Sequence, residues 1–242
     1  MLKVGSLTLL TACLFTGCAT PQQNRIDPEE ALIQSFSKLT TASVSDAVDQ
    51  IVGQRGFMSH EIKPLFRTKL CGRAITVLAK PSTESRPPSM ALELIDTAEP
   101  GKVLVLVMDG PDGADVAAFG GIMGTGSKAR GFAGAVMDGG CRDAVELEEM
   151  EFPVFARGIV PSSSLGRYIN VSKNEPVVCG GVTVRPGDIL VGDGDGVVVV
   201  PQDRANEVLQ RAQELETKEA ATMNEVIRLK SIREATKKLN RI

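Results

Sequence analysis

The 242-residue chain has one histidine, His60, which excludes a site built from several histidine ligands. Any metal it holds must rest mainly on oxygen, and that favours magnesium or manganese. None of its five cysteines stands in a Cys-x-x-Cys pair, so a structural zinc site is not expected. Cys13 and Cys18 fall in the N-terminal segment; Cys71, Cys141 and Cys179 are left as an odd number that suits free buried thiols better than a disulfide framework. Tryptophan is absent, and one tyrosine with eight phenylalanines offers few platforms on which bases could stack. A cationic surplus is lacking too: 27 basic against 30 acidic residues give a net charge of -3, with nothing to neutralise a phosphate backbone. Nucleic acid is therefore not an expected partner.

The length suits one substantial domain with appendages, and 24 glycines imply many tight turns and close backbone approaches. Residues 1–18 combine a basic start at Lys3, an apolar stretch from Val4 to Phe15 and small residues around Cys18. That is the layout of a secretory signal, and the stretch is short for a membrane span. It also resembles a bacterial lipoprotein leader, with a lipid anchor on Cys13 or Cys18. Used as a signal, it places the protein in the cell envelope; unused, it leaves a cytoplasmic one. Polar, proline-bearing residues 19–30 read as a linker, and the folded part starts near Ala31.

From there EEALIQSFSKL and TASVSDAVDQIV carry helical spacing, with Thr41 or Ser43 as N-cap of the second helix. CGRAITVLAK and KVLVLVMDG read as strands, the second so uniformly apolar that both its faces should be covered. GGIMGTGSKARG reads as a glycine-rich turn leading into a short helix, FAGAVMDGG as a strand, RDAVELEEM as a helix with Val145, Leu147 and Met150 on one side, and FPVFARGI as a strand. Strands alternating with helices predict an α/β fold, a parallel sheet and a site at the strands' carboxyl ends. The glycine- and β-branched-rich stretch from Val177 predicts a second, smaller antiparallel sheet. Residues 203–242 read as one long charged helix with apolar positions at Val208, Leu215, Met223, Val226 and Leu229. The body thus spans 31–202 and the helical extension 203–242.

The spacing Gly121-x-x-Gly124-x-Gly126 is not the dinucleotide fingerprint, but backbone N–H groups at a helix start there would suit a carboxylate or phosphate. Asp143-x-x-Glu146 has two readings. It can be a helix capping box. Alternatively Asp143 is a hard oxygen ligand, Arg142 a fixed positive fork for developing negative charge, and Glu146 a holder of metal-bound water. A cap has no need of the neighbouring guanidinium, whereas a metal-bound carbonyl substrate does. GDGDG at 192–196 lacks the spacing of a calcium loop and suits a hairpin. ARGIVPSSSLGR contains no nucleophile elbow, and one histidine far away argues against a hydrolase triad. Arg142 beside Cys141 would lower that thiol's pKa, although no histidine partners it.

Gly121, twenty intervening residues and then Arg142-Asp143-x-x-Glu146 resembles the active-site signature of the RraA-like proteins. TASVSDAVD, GRAITV, SKARGFAGAVMDGGCRD, FPVFARG and PGDILVGDGDGVVVVP resemble that family in order and spacing, over roughly residues 37 to 203. The family includes metal-dependent 4-hydroxy-4-methyl-2-oxoglutarate aldolases and a regulator of ribonuclease E. The resemblance implies a swivelling β/β/α domain assembled as trimers or hexamers, with sites between subunits. It further implies that Asp143 binds magnesium or manganese, that Arg142 meets the keto oxygen of a small 2-oxo acid, and that the amides of Gly120, Gly121, Ile122 and Met123 hold its carboxylate. Aldol cleavage and oxaloacetate decarboxylation would share a pyruvate enolate. Many of the aldolases carry an acid directly after the first glycine, and Gly121 stands at that place. Decarboxylation is therefore expected to survive better than aldol cleavage, and Gly121→Asp to improve the latter. The alternative is a non-catalytic regulatory protein; that regulator lacks the Asp after the Arg, which this chain keeps as Asp143.

Overall fold

A computed structural model describes residues 27–239. The leader, Cys13, Cys18 and most of the expected linker lie outside the described residues. Helix α1 (Pro28–Phe36) starts within that linker, because Asp27 accepts a hydrogen bond from the Glu29 amide and Pro28 needs no acceptor in a first turn. The cap of α2 (Thr41–Val52) is Thr40, not Thr41 or Ser43: its hydroxyl accepts from the Ser43 amide at 3.2 Å, while Thr41 and Ser43 are buried.

The chain continues through β1 (Lys63–Pro64), β2 (Leu70–Pro81), α3 (Ser89–Thr97), β3 (Lys102–Met108), β4 (Ala117–Phe119), α4 (Gly121–Ala129) and β5 (Gly134–Asp138). Next come β6 (Gly140–Cys141), α5 (Ala144–Glu149), β7 (Val154–Ala156), β8 (Gly158–Ile159), β9 (Tyr168–Lys173), β10 (Val177–Cys179) and β11 (Val182–Val184). The hairpin β12 (Ile189–Asp193) and β13 (Gly196–Val200) leads into α6 (Ala205–Leu229) and α7 (Ile232–Leu239). Strands β2, β3, β5 and β7 pair in parallel, as the alternation of strands and helices implies. The fold is α/β, with a parallel-type sheet, a smaller antiparallel pair and a long C-terminal helix. The carboxyl-terminal strands divide differently from expectation. Only β10 and β11 form a separate antiparallel sheet, whereas β12 and β13 extend the main sheet through antiparallel pairing of β12 with β2.

Strand β3 shows why its sequence is apolar throughout. Leu104, Leu106 and Met108 join a core with α3 and α5 through Leu94, Ile95 and Leu147, while Val103, Val105 and Val107 pack with Val177, Cys179, Val182 and Val184 of the small hairpin. Side chains alternate across a strand, so burying both faces requires a hydrophobic residue at every position. A third cluster joins α1, α2 and α6 to the hairpin strands through Phe36, Val44, Val48, Ile189, Val198 and Val208. The C-terminal segment is two helices and not one, broken at Lys230, which takes a left-handed conformation at φ 51°. Val208 is buried, but Met223 is exposed.

Asp193, at the hairpin turn, ties that turn to α2. Its carboxylate accepts from the Thr41 amide at 3.0 Å, the Thr41 hydroxyl at 2.6 Å and the Asp195 amide at 3.0 Å. Asp193→Ala leaves a buried hydroxyl and amide without their acceptor and should cost about 2–3 kcal/mol at neutral pH, read by denaturant unfolding. Burial opposes ionisation of Asp193, but the hydrogen bonds from Thr41 and Asp195 outweigh it and hold the carboxyl below its ordinary range. A carboxylate depressed in this way stabilises the fold fully above its unfolded-state pKa of about 4, and the contribution is lost as pH falls through the folded value. The gap between wild type and Asp193→Ala is thus expected to narrow below about pH 4.

Candidate functional site

Past the carboxyl ends of β5 and β7 the chain forms a second tier, in which β6 pairs in parallel with both β4 and β8. Arg142 leaves β6 with its amide donating to the Phe119 carbonyl at 3.1 Å, which seats it beside the end of β4. Asp143 follows at φ 57° and ψ 38°, a left-handed conformation that few non-glycine residues adopt. It stands at the N-cap position of α5 and its side chain makes no capping hydrogen bond. The carboxylate turns instead to α4: Oδ2 accepts from the Gly121 amide at 2.9 Å and lies 3.5 Å from Nε of Arg142. Of the two readings of Asp143-x-x-Glu146, the capping box is the one the geometry removes. Held backbone strain of this kind clusters at functional sites.

The glycine-rich GGIMGTG is helix, not turn. A Cβ on Gly124 would sit 2.3 Å from Cδ2 of Leu147, so α4 and α5 approach more closely than a larger residue allows. A Cβ on Gly121 would sit 2.5 Å from Oε2 of Glu146, which puts the Glu146 carboxylate directly beside the start of α4. Leu147 is buried and Met150 packs on the core, but Val145, expected on the same side, is exposed.

A cavity of about 220 Å³ opens at this junction. Arg142, Asp143, Gly120, Ile122 and Met123 line it, so the sequence brings these five together correctly. Gly121 does not join them, because its amide is already donated to Asp143. The amides of Ile122 and Met123 lie in the first turn of α4, where no preceding turn can accept them, and suit an anion. Glu146 borders Gly121 from behind this wall. The opposite wall is Pro87, Pro88 and Leu92 at α3 with Ser163, Ser164 and Leu165 of a loop, none of which sequence reasoning singled out for the site. A proline- and serine-rich stretch signals a loop without saying what the loop faces.

Cys141 is fully buried, and burial, reinforced by the Asp143 charge, pushes its thiol up to about 12, the reverse of the lowering expected from Arg142. It is no nucleophile at neutral pH. Cys71 and Cys179 are likewise free thiols. His60 lines a separate cleft with Thr41, Phe57 and Asp195, away from Arg142. Among the described residues no group of three or more His, Cys, Asp or Glu side chains could hold a metal ion. A cation at this site would rest on Asp143 with Glu146 close by, taking its remaining ligands from water and substrate, as magnesium usually does.

The family model described as RraA-like, Aldolase/RraA, matches residues 41–199. The chain belongs to the RraA-like family. A family relative in Halalkalibacterium halodurans, provisionally named a 4-hydroxy-4-methyl-2-oxoglutarate aldolase, is 34% identical over 190 residues, covering 78% of this chain and 85% of that one. The crystal structure of an uncharacterized protein from Pseudomonas syringae pv. tomato is similar with a TM-score of 0.77 and 31% identity, over 86% of this chain and 94% of the other. An RraA-family protein of Streptomyces coelicolor, described as an unusual member of the RNase ES inhibitor family, is similar with a TM-score of 0.69 and 29% identity, over 80% and 96% of the two chains. The RraA-like match takes in every residue of the candidate site except none of the C-terminal helices α6 and α7, which lie beyond it.

Proposed function

We propose that this RraA-like protein is a divalent-metal-dependent carbon–carbon lyase that releases pyruvate from 4-hydroxy-4-methyl-2-oxoglutarate, from oxaloacetate or from both. The observation that carries this reading is the convergence of the Asp143 carboxylate and the Arg142 guanidinium on one cavity at the N-terminus of α4. The Ile122 and Met123 amides bind the substrate's carboxylate and orient its 2-oxo group toward Arg142. As the carbon–carbon bond breaks, negative charge grows on the keto oxygen, and the guanidinium stabilises it where it develops. Asp143 would hold magnesium or manganese, with Glu146 acting on it through water. When bound, that cation supplies Lewis-acid polarisation of the carbonyl.

A trimer or hexamer with sites between subunits accords with the apolar side chains left in solvent around the cavity. Ile122 on α4 is 85% exposed, Val145 on α5 69%, Ile159 on β8 60% and Leu165 46%. Large exposed apolar patches mark interaction surfaces. The experiment is a pyruvate-release assay on the purified chain with both substrates, after chelation and again after adding magnesium or manganese. Turnover should vanish on chelation and return with the cation; a stripped protein as active as the replenished one overturns the proposal. A protein that releases no pyruvate from any 2-oxo acid would instead fit the non-catalytic reading, which the Streptomyces relative represents.

A further inference from the structure

The cavity beside Arg142 is divided by polarity. Its α4 side offers amides for one carboxylate, and Arg142 is the one cation in the lining. Beyond them the wall is Pro87, Pro88, Leu92, Ile122, Met123 and Leu165, relieved only by Ser163 and Ser164. The cations nearest in sequence are engaged elsewhere: Arg86 pairs with Glu84 at 2.6 Å, and Arg167 donates to the Ser163 carbonyl at 3.0 Å. A second carboxylate on the substrate would lose its water against hydrocarbon with no counter-charge, which is strongly unfavourable. An alkyl group in the same place is removed from water.

We infer that the substrate this cavity prefers is a monocarboxylic 4-hydroxy-2-oxo acid with an apolar group on C4, rather than a dicarboxylate. The inference rests on the lyase reading and deepens it. In the reaction the C3–C4 bond breaks and its electron pair enters the pyruvate enolate. The 4-hydroxyl proton leaves to a base, a proton ends on C3, and the products are pyruvate and an apolar ketone or aldehyde. No oxidant, reductant or further reactant is needed. The 2-oxo carboxylate stays at α4 and Arg142 keeps its place at the keto oxygen, so only the far end of the molecule is selected.

The test compares two 2-oxo acids that lack a 4-hydroxyl and cannot undergo aldol cleavage, 2-oxo-4-methylpentanoate and 2-oxoglutarate. Their affinities for the full chain in excess magnesium are measured by titration calorimetry, alongside pyruvate release from 4-hydroxy-4-methyl-2-oxopentanoate and 4-hydroxy-4-methyl-2-oxoglutarate. The apolar acid should bind at least about tenfold more tightly, and the apolar aldol should have the higher kcat/KM by a similar factor. Ile122→Lys on the exposed first turn of α4, and separately Leu92→Lys, should narrow or reverse the preference by supplying the missing cation. Equal or tighter binding of 2-oxoglutarate to the wild type overturns the inference; if pyruvate is still released, the lyase reading survives it. If neither acid binds and no pyruvate forms from either aldol, both fall together.

Discussion

Asp143→Asn is expected to lower pyruvate release from any substrate by about a hundred- to a thousandfold, with the fold left intact. Asparagine is chosen because it is among the few residues that tolerate the left-handed backbone at this position, where φ is 57°. Its side-chain oxygen can still accept from the Gly121 amide, now held at 2.9 Å by Oδ2. What the substitution removes is the negative charge, and with it the one carboxylate in the lining of the cavity. Thermal unfolding should therefore move little while turnover collapses. Manganese affinity, read by electron paramagnetic resonance, should weaken in parallel. Asp143→Ala confounds the two effects, since alanine in a left-handed position costs about 1–2 kcal/mol of stability by itself. A variant Asp143→Asn that keeps more than about a tenth of the wild-type rate would show that the carboxylate's charge is not the centre of the reaction.

The reach of the sequence can be judged residue by residue. The parallel order of β2, β3, β5 and β7 was legible, because a strand buried on both faces has no choice but to be apolar throughout, and KVLVLVM is. The placing of Arg142 and Asp143 at the carboxyl end of a strand was legible for the same reason. The conformation of Asp143 was not. A Ser/Asp-x-x-Glu pattern looks the same whether its carboxylate caps its own helix or reaches another, and the winning partner, Gly121, is 22 residues away. GGIMGTG reads as a turn because glycine is a poor helix former; the close contact with Leu147 overrides that preference. The hairpin of β12 and β13 was visible in GDGDG, but its neighbour was not, since nothing local says that β12 will pair with β2. Cys141 was misjudged by proximity in sequence: Arg142 follows it directly, yet the thiol points into the core, where desolvation dominates.

Glu146→Ala should separate the two activities the site could run. Aldol cleavage must remove the proton of the substrate's 4-hydroxyl, directly or through one water, and losing such a base typically costs about a hundred- to ten-thousandfold. Oxaloacetate decarboxylation has no such proton to remove. The sequence suggested that the base was missing, because Gly121 stands where many relatives carry an acid. The structure supplies one from the other direction: a Cβ at position 121 would lie 2.5 Å from Oε2 of Glu146, so that carboxylate, carried by α5, already fills the volume an acid at 121 would take. The expectation for Gly121→Asp changes accordingly. On its own it forces two like charges into contact and should leave the ratio of aldolase to decarboxylase no higher than in the wild type. Combined with Glu146→Ala, the same Asp should restore most of the lost aldol cleavage, since the helix start accommodates an acidic side chain and the clash is gone. Measured as kcat for the two substrates, Glu146→Ala should fall by at least about a hundredfold on the aldol and by less than about tenfold on oxaloacetate. Equal losses on both substrates would mean that Glu146 supports the site's shape and moves no proton, and a single Gly121→Asp variant with a raised ratio would mean that the base had been absent all along.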